Sequence, residues 1–268
     1  MIVPVSVRDD DPRLAVYRNL KQSNLTRWSG LFVAEGDKVV DRLLVSGLDI
    51  VSVLVGRRWL DEYEPKVSGD TPLLVIDDAE IPELVGFEFH RGVLACGRRP
   101  VDTPLEIIAP ADRRRWTLVV CPEIFGPENL GNLLRTCAAL GVDGVLLGNQ
   151  AADPYSRRVL RVSMGEAFRV PMRQSSDLAG DLATLVARDN LELAATVLDP
   201  EATPLSSFAR PERLGVLFGG EGDGLSGEWL SRCKHRLTIP MARGVDSLNV
   251  ATAAGVFIYE LTQAANRA

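Results

Sequence analysis

Hydrophobic residues in the first third of the chain come in short bursts. Gly36 to Leu44 has helical spacing, with Val39, Val40, Leu43 and Leu44 on one face. Continuous apolar runs follow at Ile50–Val55, Pro72–Ile76 and Gly92–Cys96 and predict buried strands. Residues 24–98 therefore read as a small α/β unit. Between 98 and 115, Pro100, Pro104 and Pro110 stand among mixed charges and predict a linker, although Leu105, Ile107 and Ile108 are apolar enough to pack.

From Trp116 the alternation lengthens. Apolar runs at 117–121, 142–147, 191–197, 214–218 and 237–239 predict strands. Helical patterns fall at 128–140, ended by Gly141, then near 156–165, near 177–188, and from about 247 to 265. Strands this uniformly apolar, alternating with helices, imply a mostly parallel sheet covered on both faces. The expected organisation is one α/β domain over 1–98, a linker over 99–115 and a second α/β domain over 116–268.

Composition adds bounds rather than detail. The 268 residues are 46% hydrophobic and 25% charged, which excludes a disordered or collagen-like chain. No apolar stretch approaches the ~20 residues that span a bilayer, and MIVPVSVRDDD turns acidic before a signal-peptide core can form, so a cytoplasmic protein without membrane contact is expected. Four separated cysteines and two histidines give no metal-ligand spacing, and Cys121 and Cys137 lie in apolar runs as core residues. The net charge of −6 argues mildly against nucleic acid, yet Arg113 to Arg173 holds nine Arg against five Asp/Glu, a local +4. Arg157, Arg158 and Arg161 are the candidate RNA contacts in that window; a solvated, salt-bridged surface is the plainer alternative.

Three segments carry possible chemistry. In the helix near 128–140, Leu130, Leu133, Leu134, Cys137 and Ala138 form a stripe, Arg135 falls nearly opposite it beside Gly131 and Asn132, and Asn129 is placed to cap the N-terminus. There, at a strand–loop–helix edge, Asn129 and Arg135 would face a ligand and Gly131 would allow its close approach. The second segment, Phe218-Gly219-Gly220-Glu221-Gly222-Asp223-Gly224-Leu225-Ser226-Gly227, has five glycines in nine residues after a strand, more than a plain turn explains. Gly222 to Gly227 fits GxGxxG, but about forty residues from the C-terminus there is no room for two mononucleotide-binding halves to follow. The third segment runs Ile239-Pro240-Met241 to Ser247-Leu248-Asn249-Val250-Ala251 and enters a nearly uncharged helix, with Asp246 or Ser247 as its expected cap.

Together and in this order, the Asn129-x-Gly131-x-x-x-Arg135, Phe218-to-Gly222 and Ile239-to-Ala251 segments resemble the SpoU (TrmH-like) family of RNA 2′-O-ribose methyltransferases in the SPOUT superfamily, as does Ser163-x-Gly165-Glu166-Ala167-Phe168-Arg169-Val170-Pro171. The resemblance covers roughly 116–268; residues 24–98 look more loosely like the L30e-like substrate-binding domain that often precedes it. It implies a deep trefoil knot and an S-adenosyl-L-methionine site at Gly219, Ile239 and Leu248, with Phe218 and Met241 beside them. It also implies pocket residues at Asn129, Glu221, Ser247 and Asn249, and a homodimer in which Arg135 reaches the partner's cofactor site. Arg135 would act as base or as phosphate clamp, and guanidinium groups, which hold their protons, favour the clamp. rRNA or tRNA would be the substrate. The alternatives are an RNA-binding module of the same fold without catalysis, and a nicotinamide oxidoreductase resting on GxGxxG alone.

Overall fold

The computed structural model describes residues 1–20, 29–89, 92–100, 103–109, 112–220, 222–243 and 245–266. The chain divides into two compact units, Met1–Val101 with Pro154–Arg169, and Asp102–Asp153 with Val170–Ala268.

The first unit is built on five strands: β1 (Ile2–Pro4), β2 (Leu31–Glu35), β3 (Ile50–Gly56), β4 (Leu73–Ile76) and β5 (Val93–Arg98), in the order β1-β4-β3-β5-β2. β1, β4 and β3 run parallel, and β5 is antiparallel to β3 and β2. Helix α1 (Asp37–Leu44) buries Val39, Val40 and Leu43, the face its spacing predicts. Two short helices, α2 (Leu60–Tyr63) and α3 (Ile81–Val85), follow β3 and β4. β1 and β2 lie outside the runs read as strands. Both stand at sheet edges, where pairing with a partner strand, β4 or β5, defines them.

The second unit begins inside the expected linker. Helix α4 (Leu105–Ile108) exposes Ile107 but buries Ile108, which joins Ala109, Trp116 and Leu118 in the core, so much of this stretch is packed structure. Then come β6 (Trp116–Cys121), α5 (Pro127–Leu140) and β7 (Gly144–Leu147). Every residue of β6 and β7 is buried, as continuous apolar strands under helices must be. Gly141 ends α5 in the left-handed conformation, φ 72°. After the first unit's α6 (Arg157–Val162), the second resumes with β8 (Met172–Gln174), α7 (Leu178–Asp189), β9 (Glu192–Thr196), β10 (Thr203–Pro204), β11 (Arg213–Leu217), α8 (Gly227–Arg232), β12 (His235–Thr238) and α9 (Val250–Asn266). Its seven strands are all parallel, ordered β10-β12-β9-β11-β6-β7-β8. Among the described residues, no helix is long and apolar enough to cross a membrane.

Residues 154–169, expected in the second domain, pack within the first unit, where α6 lies against β2. Glu35 is only 5% exposed, and its carboxylate takes Arg157 at 3.2 Å and Arg161 at 3.7 Å. Arg157 also stacks over Phe87, 5.3 Å from the ring centroid. Burial pushes its guanidinium pKa down, and Glu35 offsets part of that. Arg42 pairs with Glu166 at 2.9 Å and donates to the Met164 carbonyl, while Gly165, at φ +81°, lets the chain approach Val39. Arg113, Arg169 and Arg173 pair with Asp143, Glu166 and Asp181. The basic window is thus split between the units and largely neutralised within each. Arg157 and Arg161, expected as RNA contacts, both lie at the Glu35 carboxylate, whose single charge offsets one of the two guanidinium charges. Arg158 is exposed.

Candidate functional site

In a parallel sheet the carboxyl ends of the strands share one edge, and ligands collect there. At that edge of the second sheet lies a cavity of about 600 Å³. The end of β9 and the segment after it contribute Thr196 to Asp199, and the Thr196 hydroxyl ties β9 to β11 by donating to the Leu217 carbonyl at 2.9 Å. After β11 come Phe218 and the glycine-rich loop; after β12, Ile239 and Met241; then Ser247, Leu248 and Asn249, which lead into α9. Phe218 is buried edge-to-face on Phe257 of α9, centroids 5.9 Å apart, which fixes the cavity floor. Seven residues singled out in the sequence, from two of the three segments, thus line one space: Phe218, Gly219, Ile239, Met241, Ser247, Leu248 and Asn249. Glu221 lies outside the described residues. Asp199, Asp223 and Arg236 are charged groups on the cavity wall; Asp223 belongs to the glycine-rich segment, whereas sequence reasoning missed Asp199 and Arg236, which lie in no motif and are revealed only by the strand order.

The glycine-rich loop folds on itself. A Cβ on Gly219 would stand 2.2 Å from the Gly224 carbonyl carbon, and Gly220 N–H donates to the Gly224 carbonyl at 3.2 Å. Gly222 and Gly224 both have positive φ. At Gly219 the glycine requirement therefore comes from the loop's own backbone rather than from a ligand's approach, and the GxGxxG spacing is incidental to this turn.

The polar pair behind the cavity is Asn129 and Asn249. Asn249 Oδ1 accepts the N–H groups of Ala251 and Thr252 at 3.0 and 3.3 Å, so Asn249 caps α9, rather than Asp246 or Ser247. Its Nδ2 donates to Asn129 Oδ1 at 2.9 Å, joining α9 to α5. Asn129 is not the cap of α5. That position is Gly126, without a side-chain bond, and Asn129 lies buried inside the first turn. Gly131 is buried as well, not on the exposed face with Arg135. Arg135 is exposed, about 9 Å further along α5 at 1.5 Å per residue, and is not on the cavity wall. Burial drives the thiol pKa values of Cys121 and Cys137 far up, as expected of inert core cysteines.

Residues 117–259 match the SpoU rRNA Methylase family. An uncharacterized tRNA/rRNA methyltransferase of Mycobacterium tuberculosis is 37% identical over 265 residues, covering 95% of this chain and 90% of that one. A 23S rRNA (guanosine-2′-O-)-methyltransferase of Acinetobacter baylyi is 30% identical over 182 residues, 67% of this chain and 73% of the other. Among solved structures, an AdoMet-bound rRNA methyltransferase from Sinorhizobium meliloti superimposes with a TM-score of 0.82 at 24% identity, over 98% of both chains. A seven-stranded parallel sheet, two of the three motif segments meeting at its carboxyl edge and a relative matched over nearly its whole length lead to one conclusion: the chain belongs to the SpoU rRNA methylase family of RNA methyltransferases.

Proposed function

We propose that the chain transfers the methyl group of S-adenosyl-L-methionine to a ribose 2′-hydroxyl of rRNA or tRNA. The observation that carries this reading is the convergence of the Phe218–Gly219, Ile239–Met241 and Ser247–Asn249 segments on one cavity of about 600 Å³, within the ~300–1,000 Å³ typical of small-molecule sites. The cavity chemistry suits this cofactor: Phe218, Ile239 and Leu248 offer an apolar wall to an adenosine, and Asp199 and Asp223 oppose a cationic sulfonium. The S. meliloti neighbour's description as AdoMet-bound and the A. baylyi relative's as guanosine-2′-O-specific support the same reading.

When bound, S-adenosylmethionine supplies a methyl group activated by its sulfonium charge. The chain's part is positioning. Arg135 clamps an RNA phosphate and orients the hydroxyl, a task that suits a guanidinium better than accepting a proton. Asn129 and Asn249 hold the two helix entries in register, and Ser247 shapes the pocket. Because Arg135 is exposed away from its own cavity wall, it serves the cavity of a second subunit. An apolar groove of about 510 Å³ on α9, where Val256 and Tyr259 are 43% and 51% exposed, supports such a homodimer. A chain threaded into a trefoil knot is supported by the strand order, since β12 occupies the place between β9 and β10, which are consecutive in the chain. The first unit, with Arg158 on its surface, is the RNA-holding part.

Calorimetric titration with S-adenosylmethionine and with NAD tests the cofactor reading, and mapping of 2′-O-methyl sites in total RNA with and without the protein tests the reaction. Binding of the first ligand only, with loss of one mapped site on deletion, is expected. Methylation confined to a base atom would overturn the ribose assignment.

A further inference from the structure

The loop between β6 and α5 holds a side chain that neither the fold nor the cavity uses. Phe125 is 60% exposed, although the backbone on both sides is fixed. Ile124 is buried and its carbonyl accepts the Ala152 N–H at 2.8 Å; Gly126 caps α5 and accepts the Leu130 N–H at 3.0 Å. The ring is therefore presented outward by a rigid loop, and the stabilisation that burial would give it is forgone.

Its position relates it to the site. A Cβ on Gly220 would come 3.7 Å from the Phe125 ring and 2.8 Å from the Glu123 carbonyl oxygen, so the loop is seated against a residue that lines the cavity. On its other flank, Gly126 lies against Asn129, which is bonded to Asn249 on the cavity wall. An outward aromatic ring at the rim of an RNA-modifying site offers what unpaired bases bind best: every base has a π-face, and stacking needs no base-specific hydrogen bond.

Resting on the proposed function, we infer that Phe125 is a substrate-positioning residue, the stacking platform for an unpaired base of the RNA beside the ribose that enters the cavity. The ring touches no reacting atom; it holds the nucleotide so that its hydroxyl faces the cofactor site.

The test compares full-length wild type with Phe125→Ala, Phe125→Leu and Phe125→Trp. The readouts are S-adenosylmethionine affinity by calorimetry, unfolding temperature, oligomeric state by light scattering, methylation of unmodified rRNA and tRNA transcripts, and quenching of a short single-stranded RNA carrying 2-aminopurine. Phe125→Ala should raise KM for RNA about 10- to 100-fold and abolish the quenching, with cofactor affinity, unfolding temperature and assembly unchanged. Trp should restore both readouts, and Leu neither. Rescue by Leu would reduce the contact to apolar packing. Weaker cofactor binding in Phe125→Ala would make the ring a brace for the glycine loop, dissociation into monomers would make it a subunit contact, and an unchanged KM would leave it no role; each overturns the inference. A wild type that binds no S-adenosylmethionine or methylates no RNA shows instead that the proposed function has failed, and the inference falls with it.

Discussion

The cavity at the carboxyl edge of the second sheet and the arginine cluster around Glu35 both gather polar side chains, and they use them in opposite ways. Around Glu35, a buried carboxylate takes two guanidinium groups from α6, and Arg157 completes its surroundings with the Phe87 ring. The charges answer one another, and the result is a fastening. In the cavity, the walls are backbone, small residues and apolar side chains, and the polar groups are few. Asn249 satisfies one helix end and one neighbour, and Asp199, Asp223 and Arg236 stand among apolar groups. A dense run of charge marks where this protein neutralises itself, whereas sparse polar groups among glycines and aliphatics mark where it receives something else.

The largest effect that separates the two regions is expected at Arg135. Arg135→Ala lies opposite a buried stripe, so stability should move within about 0.5 kcal/mol. Methyl transfer should fall about 100-fold or more if the guanidinium orients the acceptor. Cofactor affinity, measured by calorimetry, should hold. A folded variant that still transfers at a near-normal maximal rate would remove Arg135 from the mechanism.

The opposite profile is expected at Glu35. Truncating one partner of a buried ion pair costs about 3–5 kcal/mol. Side-chain exposures of 26% for Arg157 and 35% for Arg161 reduce this to about 2–3 kcal/mol. Glu35→Ala should therefore lower the denaturation midpoint and leave S-adenosylmethionine affinity alone. If stability were untouched, the cluster would be ornamental and its arginines free for another task.

Asn249 belongs to both kinds of contact and should give a mixed result. Asn249→Ala removes the cap of α9 and the bond to Asn129, for a loss of about 1–2 kcal/mol. It should also weaken cofactor binding, because the segment entering α9 is cavity wall. Asn249→Asp keeps the capping oxygen and should recover most of the stability but less of the affinity. Equal recovery of both would mean that the cap alone matters.

What could be read from the sequence follows from how locally each feature is determined. Five of the seven strands of the second sheet and the buried face of α1 depend on neighbours within a few residues, and their patterns predicted them closely; the short edge strands β8 and β10 had no such pattern and were not predicted. The end of α5 needs only Gly141. The motif segments were legible because their residue types are unusual in their settings. The fastening of α6 to the first unit was not, because Glu35 and Arg157 are 122 residues apart and each looks like an ordinary surface charge. The cap of α9 was misplaced by two or three residues because Asp246, Ser247 and Asn249 are all good caps, and only the α5 contact selects among them. Phe125 gave no signal: a lone aromatic in a loop acquires meaning only from Gly220, which the fold brings to it. The attachment of α6 also changes what truncation means, since removing residues 1–98 would strip the partners from the buried Val159 and Leu160.

The smallest effect belongs to Arg158, exposed on α6 between Arg157 and Arg161, which meet Glu35. If the first unit holds RNA, Arg158→Ala should lower affinity for rRNA transcripts less than about threefold and reduce the slope of log affinity against log salt by about one. Arg161→Ala should reduce that slope less than Arg158→Ala does, because the Glu35 charge offsets one of the two guanidinium charges that meet it, and should also lower stability. Affinity measured from low to moderate salt for both variants separates a charge presented to a phosphate backbone from a charge used inside the protein. Equal slope losses would mean that RNA draws Arg161 away from Glu35, and that the fastening opens on binding. An unchanged slope in Arg158→Ala would move the RNA-holding surface off α6 altogether.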